Sequence, residues 1–226
     1  VEKIDGVSTA RILYLYPSTT THDLIDKIAD SKVFVNYFDM PLQHISQNML
    51  KIMKRGKGAE KLRELMQYMK SKPNSFVRTT FIAGHPGESE NDFEELCKFV
   101  EEFGFDRANV FSYSDEEGTA AETRNDKIEQ EIIDERAEIL GDIISQTTIK
   151  SLEDDIGKTF EVYIDGESDE HEYLLSARKI IWAPEIDGEI YINDNELEEQ
   201  IIFGDKYLVT ATELAGDKLL AKIIKK

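Results

Sequence analysis

The hydrophobic period changes once along this sequence, at Gly157, and that change demands two dissimilar parts. Before it, short apolar runs alternate with amphipathic ones. ARILYLYP (Ala10–Pro17) reads as a buried strand ended by its proline, THDLIDKIADSK (Thr21–Lys32) as a helix, and VFVNYFDM (Val33–Met40) as a second strand stopped by Pro41. Helices are expected over residues 46–55 and 58–71. In the second, Leu62, Leu65, Met66 and Met69 recur at i, i+3, i+4 and i+7. A third strand passes through RTTFIA (Arg78–Ala83). Ser89 and Asp92 then have the spacing of a capping box, Phe93, Leu96, Cys97, Val100 and Phe103 form a helical stripe, and Gly104 ends it. RANVFSYS (Arg107–Ser114) is the fourth strand. A long helix over 126–152 follows, with Ile128, Ile132, Ile139 and Ile143 along one face and Ile133, Leu140 and Ile144 beside it. Such repetition predicts an α/β fold with a parallel sheet under helices, and four strands suggest part of a (β/α) barrel.

After Gly157, FEVYI, EYLLSARKII, EIYIN, KYLVTATEL and KLLAKII are short β-branched runs separated by turn residues. They predict a small antiparallel all-β barrel. The expected division is residues 1–152 and 153–226.

Charge and composition narrow the function classes. The net charge is −19, which repels nucleic-acid phosphates and favours basic partners. From Ser151 onward there are 19 acids against 8 bases, whereas Lys51–Lys72 holds 8 bases against 2 acids. One cysteine, Cys97, excludes an internal disulfide or an all-cysteine zinc site, and on a helix's apolar face it reads as a small core residue. The histidines (His22, His44, His85, His171) lack metal-ligand spacing, so no protein-built metal site is expected. No apolar run has membrane-spanning length, and a reducing cytoplasm is the expected compartment. The chain lacks an initiating Met and enters a strand early, as a piece of a longer protein would.

Arg78 poses the sharpest question, because a charge in an apolar strand needs a partner. Along that strand Arg78, Thr80, Ile82 and Gly84 share one face, and Val77, Thr79, Phe81 and Ala83 the other. The first face suits the inside of a barrel mouth, where sites gather at strand ends. Two readings stand side by side: an organic ligand with a carboxylate for Arg78 and a flat apolar part near Ile82, or a structural ion pair at an ordinary corner. No GK[ST] follows Gly84 and Gly87, so this is not a phosphate loop. Gln43, past another strand end, can donate and accept, as a ribose or amino-acid group requires, or it satisfies a turn. His44 and His85 are acid–base candidates or simply hydrogen-bonded loop residues. SYSDEEGTAAE (Ser112–Glu122) sits where functional loops sit, although a solvated loop is the default.

DMPLQHISQNMLKIMKR (Asp39–Arg55), RTTFIAGHPGESENDF (Arg78–Phe93) and NVFSYSDEEGTAAE (Asn109–Glu122) together resemble the methylthiotransferases of the radical S-adenosylmethionine superfamily. The all-β tail is similar to that family's TRAM domain. APEIDGEIYIN (Ala183–Asn193) and the EEGT loop resemble the RimO type, which methylthiolates an aspartate of ribosomal protein S-twelve. The resemblance implies a partial radical-SAM barrel with S-adenosylmethionine in its mouth. Arg78 would meet the methionyl carboxylate, and Gln43 the amino-acid or ribose part. Thr80 would belong to the same cofactor site, and the run from Ile82 through Gly84 to Glu88 would lie along the adenine, completed by Phe111. It implies cofactor cleavage by an electron to a 5′-deoxyadenosyl radical, hydrogen abstraction from the aspartate β-carbon and attachment of a methylthio group. No side chain is assigned as a general acid or base. It also implies two 4Fe–4S clusters in the full-length enzyme, yet the Cys-x3-Cys-x2-Cys loop that binds one has no counterpart here. The chain therefore resembles a C-terminal fragment expected to be inactive alone.

Two rivals remain. A tRNA-modifying member of the same family calls for a basic tail, whereas this tail is acidic and complements a basic ribosomal protein or the small ribosomal subunit. A non-catalytic barrel-plus-TRAM binding module fits the lone cysteine. The open edge of a partial barrel also predicts self-association or strand swapping.

Overall fold

In the computed structural model, which describes residues 1–226, four parallel strands carry the first of two units, residues 1–148. They are β1 (Ala10–Ile12), β2 (Phe34–Asp39), β3 (Phe76–Ala83) and β4 (Arg107–Ser112), hydrogen-bonded in that order. Helices α1 (His22–Ala29), α2 (Gln47–Ile52), α3 (Ala59–Lys70) and α4 (Glu90–Phe103) connect the strands, and α5 (Gln130–Glu153) follows β4. The buried face of β3 and the apolar stripes of the helices share one core, which includes Phe38, Leu62, Met66, Val77, Phe81, Leu96, Phe105 and Leu140.

Local chemistry sets the ends of α4. The Ser89 hydroxyl accepts from the Asp92 amide while the Asp92 carboxylate accepts from the Ser89 amide, and Gly104 closes the helix at φ 62°. The first strand is shorter than expected, because Tyr14 takes a left-handed conformation at φ 60°. The Tyr14 and Leu15 amides donate to the side chain and carbonyl of Asp39, so the chain bends over the end of β2 instead of extending beside it.

Of the two adjacent apolar rows on α5, the second turns inward. Ile133, Leu140 and Ile144 are buried, whereas Ile132 and Ile139 are 39% and 42% exposed. Ile128 precedes the helix, which starts at Gln130 rather than 126. Arg136 lies on the inward line, drawn there by a buried acid, and a charged residue on that line hid it from a hydrophobic pattern.

The second unit, residues 149–226, is a closed barrel of β5 (Thr159–Glu167), β6 (Leu175–Lys179), β7 (Ile190–Asn195), β8 (Lys206–Ala215) and β9 (Lys218–Lys225), in the order β5-β6-β7-β9-β8. Tyr207, Val209 and Ala211 alternate inward along β8, as do Leu219, Ala221 and Ile223 along β9. The barrel is not wholly antiparallel: β7 and β9 pair in parallel. The β8–β9 hairpin turns back at Gly216 and slots β9 between β7 and β8, which imposes that seam.

Candidate functional site

Alternation along β3 builds the site. Val77, Thr79, Phe81 and Ala83 are buried beneath helices, and the Thr79 hydroxyl is satisfied by the Met40 carbonyl at 2.9 Å. Arg78, Thr80 and Ile82 are half-buried on the opposite face. Thr80 and Ile82 form part of the wall of a cavity of about 550 Å³ at the C-terminal ends of the strands, together with Gln43 and Phe111. Ser114, Glu116, Thr119 and Ala121 wall it from the loop after β4, with Tyr14 and His85 at the sides.

Gln43 is pinned by its backbone. Its amide donates to the Thr80 carbonyl at 2.8 Å, and its carbonyl accepts from the Ile82 amide at 2.9 Å. Its φ is 68°, a conformation that non-glycine residues rarely hold unless the surroundings enforce it. Arg55 donates to the Pro41 carbonyl and braces the same corner from beneath. The Gln43 amide group is thereby presented to the cavity by a fixed backbone.

Three expected cofactor residues lie off this wall. Arg78 reaches Asp39 on β2, with Nη1 3.2 Å from Oδ1, and so forms an ion pair within the sheet. The position of a Gly84 side chain is occupied by Ile133, whose atoms would lie 2.6–2.9 Å from an added Cβ. Glu88 is turned under the loop and fully buried. Its carboxylate accepts from the Gly84 amide at 2.9 Å, from Arg136 at 2.7 Å and from His44 Nε2 at 3.1 Å. His44 Nδ1 accepts from the amides of Ile45 and Ser46, which puts its proton on Nε2, toward Glu88. Both histidine candidates are thus hydrogen-bonded loop residues, but only His85 lines the cavity. Its Nδ1 donates to the Pro86 carbonyl at 2.9 Å, and burial pushes its pKa down.

Tyr113 meets the His85 ring edge-on, 5.0 Å between centroids, and donates to Asp115 at 2.7 Å; burial, then that bond, pushes its phenol up to about 12. Sequence reasoning missed Tyr14 and assigned no residue of the 113–121 loop to the wall, although the loop itself stood out. The signal for Tyr14 is weak, since only its left-handed bend brings it there.

Residues 2–100 match the Radical SAM superfamily and residues 156–224 match the TRAM domain. Across its full length the chain is 80% identical to the ribosomal protein uS12 methylthiotransferase RimO of Aliarcobacter butzleri (strain RM4018). It is 60% identical, again over its full length, to the protein of the same name from Sulfurovum sp. (strain NBC37-1). The chain belongs to the RimO family of radical SAM methylthiotransferases. It spans about half the length of these curated relatives, 51% of each. Among solved structures, the radical SAM enzyme coproporphyrinogen III oxidase (HemN) from Escherichia coli covers 61% of the chain, and 30% of its own chain is covered, at 20% identity and a TM-score of 0.45.

Radical SAM membership implies S-adenosylmethionine and iron–sulfur chemistry in general. The cavity residues fit the first. Phe111 is an apolar ring left 60% exposed at a strand end, suited to a flat purine, and Thr80 and Gln43 offer hydrogen bonds beside it. Cys97 does not fit a RimO cluster: it sits half-buried on α4, where burial, then Glu88 and Glu90, push its thiol up to about 11. No helix is long and apolar enough to cross a membrane.

Proposed function

We propose that this chain forms the cofactor-binding sheet and the β module of a cytoplasmic enzyme that adds a methylthio group to the β-carbon of an aspartate in ribosomal protein uS12. The observation that carries this reading is 80% identity, spread over both units, to a relative bearing that name.

In this reading Ile82 and Phe111 hold the purine of S-adenosylmethionine, while Thr80 and Gln43 hold its ribose or amino-acid part. Arg78 acts from beneath the floor, through Asp39. Bound there and reduced by an iron–sulfur cluster, S-adenosylmethionine supplies the hydrogen-abstracting chemistry. The cluster thiolates come from cysteines other than Cys97. The residues of this chain orient the cofactor and shape the entrance for the protein substrate.

Charge favours a basic protein over tRNA. The segment from Ser151 onward holds 19 acids against 8 bases, which complements uS12 as a cationic partner and repels phosphates. The basic Lys51–Lys72 segment does not offset this, because most of its charges are engaged within the chain. Arg55 and Lys57 donate to the carbonyls of Pro41 and Thr20, Lys70 to that of Gly104, and Arg63 and Lys72 pair with Glu95 and Asp26.

The test is anaerobic incubation of the full-length enzyme with S-adenosylmethionine, a reductant and either uS12 or tRNA. A methylthio mass increment on a uS12 aspartate is expected. A modified adenosine in tRNA with unmodified uS12 would overturn the proposal.

A further inference from the structure

Glu116 is the one charged residue on the wall of the 550 Å³ cavity; every other lining residue is neutral or, like His85, held toward its neutral form. It stands on the loop wall, opposite the strand face that carries Thr80, Ile82 and Phe111. Asp115 is engaged with Lys127 and the Tyr113 hydroxyl, Glu122 with the Gly118 amide at 2.7 Å, and Asp126 with Arg124, while Glu117 lines neither this cavity nor the one beside it. The Glu116 carboxylate meets only the Ser114 hydroxyl, at 3.4 Å, and no cation of the chain, while its backbone carbonyl accepts from Thr119.

A second cavity of about 340 Å³ lies on the other side of the same strand end. It shares Ser112, Tyr113 and Ser114 with the first and is bounded by Asp115, Lys127 and Gln130. Asp115 lines the smaller cavity and Glu116 the larger. The smaller one's charges cancel in the Asp115–Lys127 pair. The two cavities therefore carry together one uncompensated negative charge, on the side facing the cofactor wall.

Glu116 is exposed at the cavity rim with no cation of its own, so its carboxylate is open to a ligand that brings a positive charge. An extended peptide advances about 3.3–3.6 Å per residue, so a segment laid across Tyr113 and Ser114 presents successive side chains to the two cavities. We propose that Glu116 is a specificity determinant that pairs with a Lys or Arg side chain close to the aspartate to be modified. This assignment rests on the proposed function and deepens it: the protein substrate is selected at the cavity by a basic flanking residue, not only by the charge of the β module.

The cofactor is a second source of positive charge, through its ammonium and sulfonium groups, and the experiment separates the two. Glu116→Gln and Glu116→Lys are made in the full-length enzyme. Kinetics are followed on uS12 peptides in which each Lys or Arg near the modified aspartate is replaced in turn by Gln. Affinities for S-adenosylmethionine and S-adenosylhomocysteine are measured alongside.

Glu116→Gln is expected to raise KM for the unaltered peptide about fivefold with kcat unchanged, in the range of a partly exposed ion pair. Glu116→Lys raises it further, and added salt shrinks both effects. One basic-to-Gln peptide should show no additional loss in Glu116→Gln, as a double-mutant cycle requires of partners. Equal losses on all peptides, or an unchanged KM, overturn the assignment. So does weakened S-adenosylmethionine binding, which would give the carboxylate to the cofactor. If the wild-type enzyme leaves uS12 unmodified, the proposed function fails first. If it modifies uS12 and Glu116→Gln matches it, this assignment alone fails.

Discussion

Asp39 and Arg78 face each other across the β2–β3 register, with Arg78 Nη1 3.2 Å from Oδ1 of a wholly buried carboxylate. The same carboxylate accepts from the Tyr14 amide at 3.1 Å, so one acid ties three segments beneath the cavity. Asp39→Ala takes the carboxylate away from a guanidinium that is only 16% exposed. It is expected to cost about 3 kcal/mol of stability, typical of breaking one side of a buried pair. Urea denaturation measures this, and a loss below about 1 kcal/mol would mean that the pair is not structurally important.

Glu88 gathers Gly84, His44 and Arg136 around one carboxylate. Glu88→Gln keeps the shape and removes the charge. The expected cost is about 2–3 kcal/mol, because hydrogen bonds to charged groups are the strong ones. Hydrogen exchange at the Gly84 amide should accelerate as well; unchanged protection there would contradict the network.

Gly84 combines φ 80° with Ile133 atoms 2.6–2.9 Å from where a Cβ would stand. Gly84→Ala is therefore strained in backbone and in packing, and it should lower stability by about 2–3 kcal/mol. Ile133→Ala opens a cavity of its own, so relief of the clash shows as a combined loss in Gly84→Ala/Ile133→Ala smaller than the sum of the two single losses. Strictly additive losses would leave only the backbone strain.

Acid sensitivity follows from Asp92. Burial opposes its ionisation, but hydrogen bonds from Ser46, Ser89 and Asn48 outweigh it and hold the carboxyl down to about 2. Because the folded value lies below the ordinary 3.8, the stability contribution is present above pH 3.8 and is lost as pH falls from there toward about 2. Asn48→Ala removes a donor 2.9 Å from Oδ2. It should raise the Asp92 carboxyl pKa and move the acid-unfolding midpoint upward. Carboxyl NMR and circular dichroism titrations read the two effects separately.

Phe111 gives the cleanest test of the cofactor wall, because its exposed ring contributes little to folding. Phe111→Ala is expected to weaken binding of S-adenosylhomocysteine about tenfold, the scale of losing one base-stacking partner, with melting unchanged. Calorimetry on the full-length enzyme decides it. Unchanged affinity would remove Phe111 from the purine site.

What was legible in the sequence was local. The Ser89–Asp92 cap, the Gly104 stop and the two-residue alternation of β3 are each written within a few residues, and each stands as read. Nonlocal relationships were not legible. The parallel β7–β9 seam depends on a hairpin inserting between distant strands, which no run of β-branched residues encodes. Which row of α5 faces inward was not legible, because Arg136 interrupts the apolar line, and the acid that draws it inward lies far away in sequence, at Glu88.

The site divides in the same way. Thr80 and Ile82 follow from strand alternation, and Gln43 and Phe111 from their places at strand ends, so their positions on the wall could be anticipated. Arg78 was a ligand candidate because a charge among apolar residues signals a partner without saying which, and Glu88 only through the family resemblance. In both cases the partner is another side chain of the fold, Asp39 for one and Arg136 for the other.

Because β9 lies between β7 and β8, the five-stranded barrel has no intermediate in which it is already closed but still lacks its final strand. During synthesis, β7 and β8 must wait with bare edges until Lys218–Lys225 has left the ribosomal exit tunnel. A premature stop before Lys218 would accordingly yield two exposed strand edges, a species marked for aggregation or proteolysis rather than a slightly shortened module.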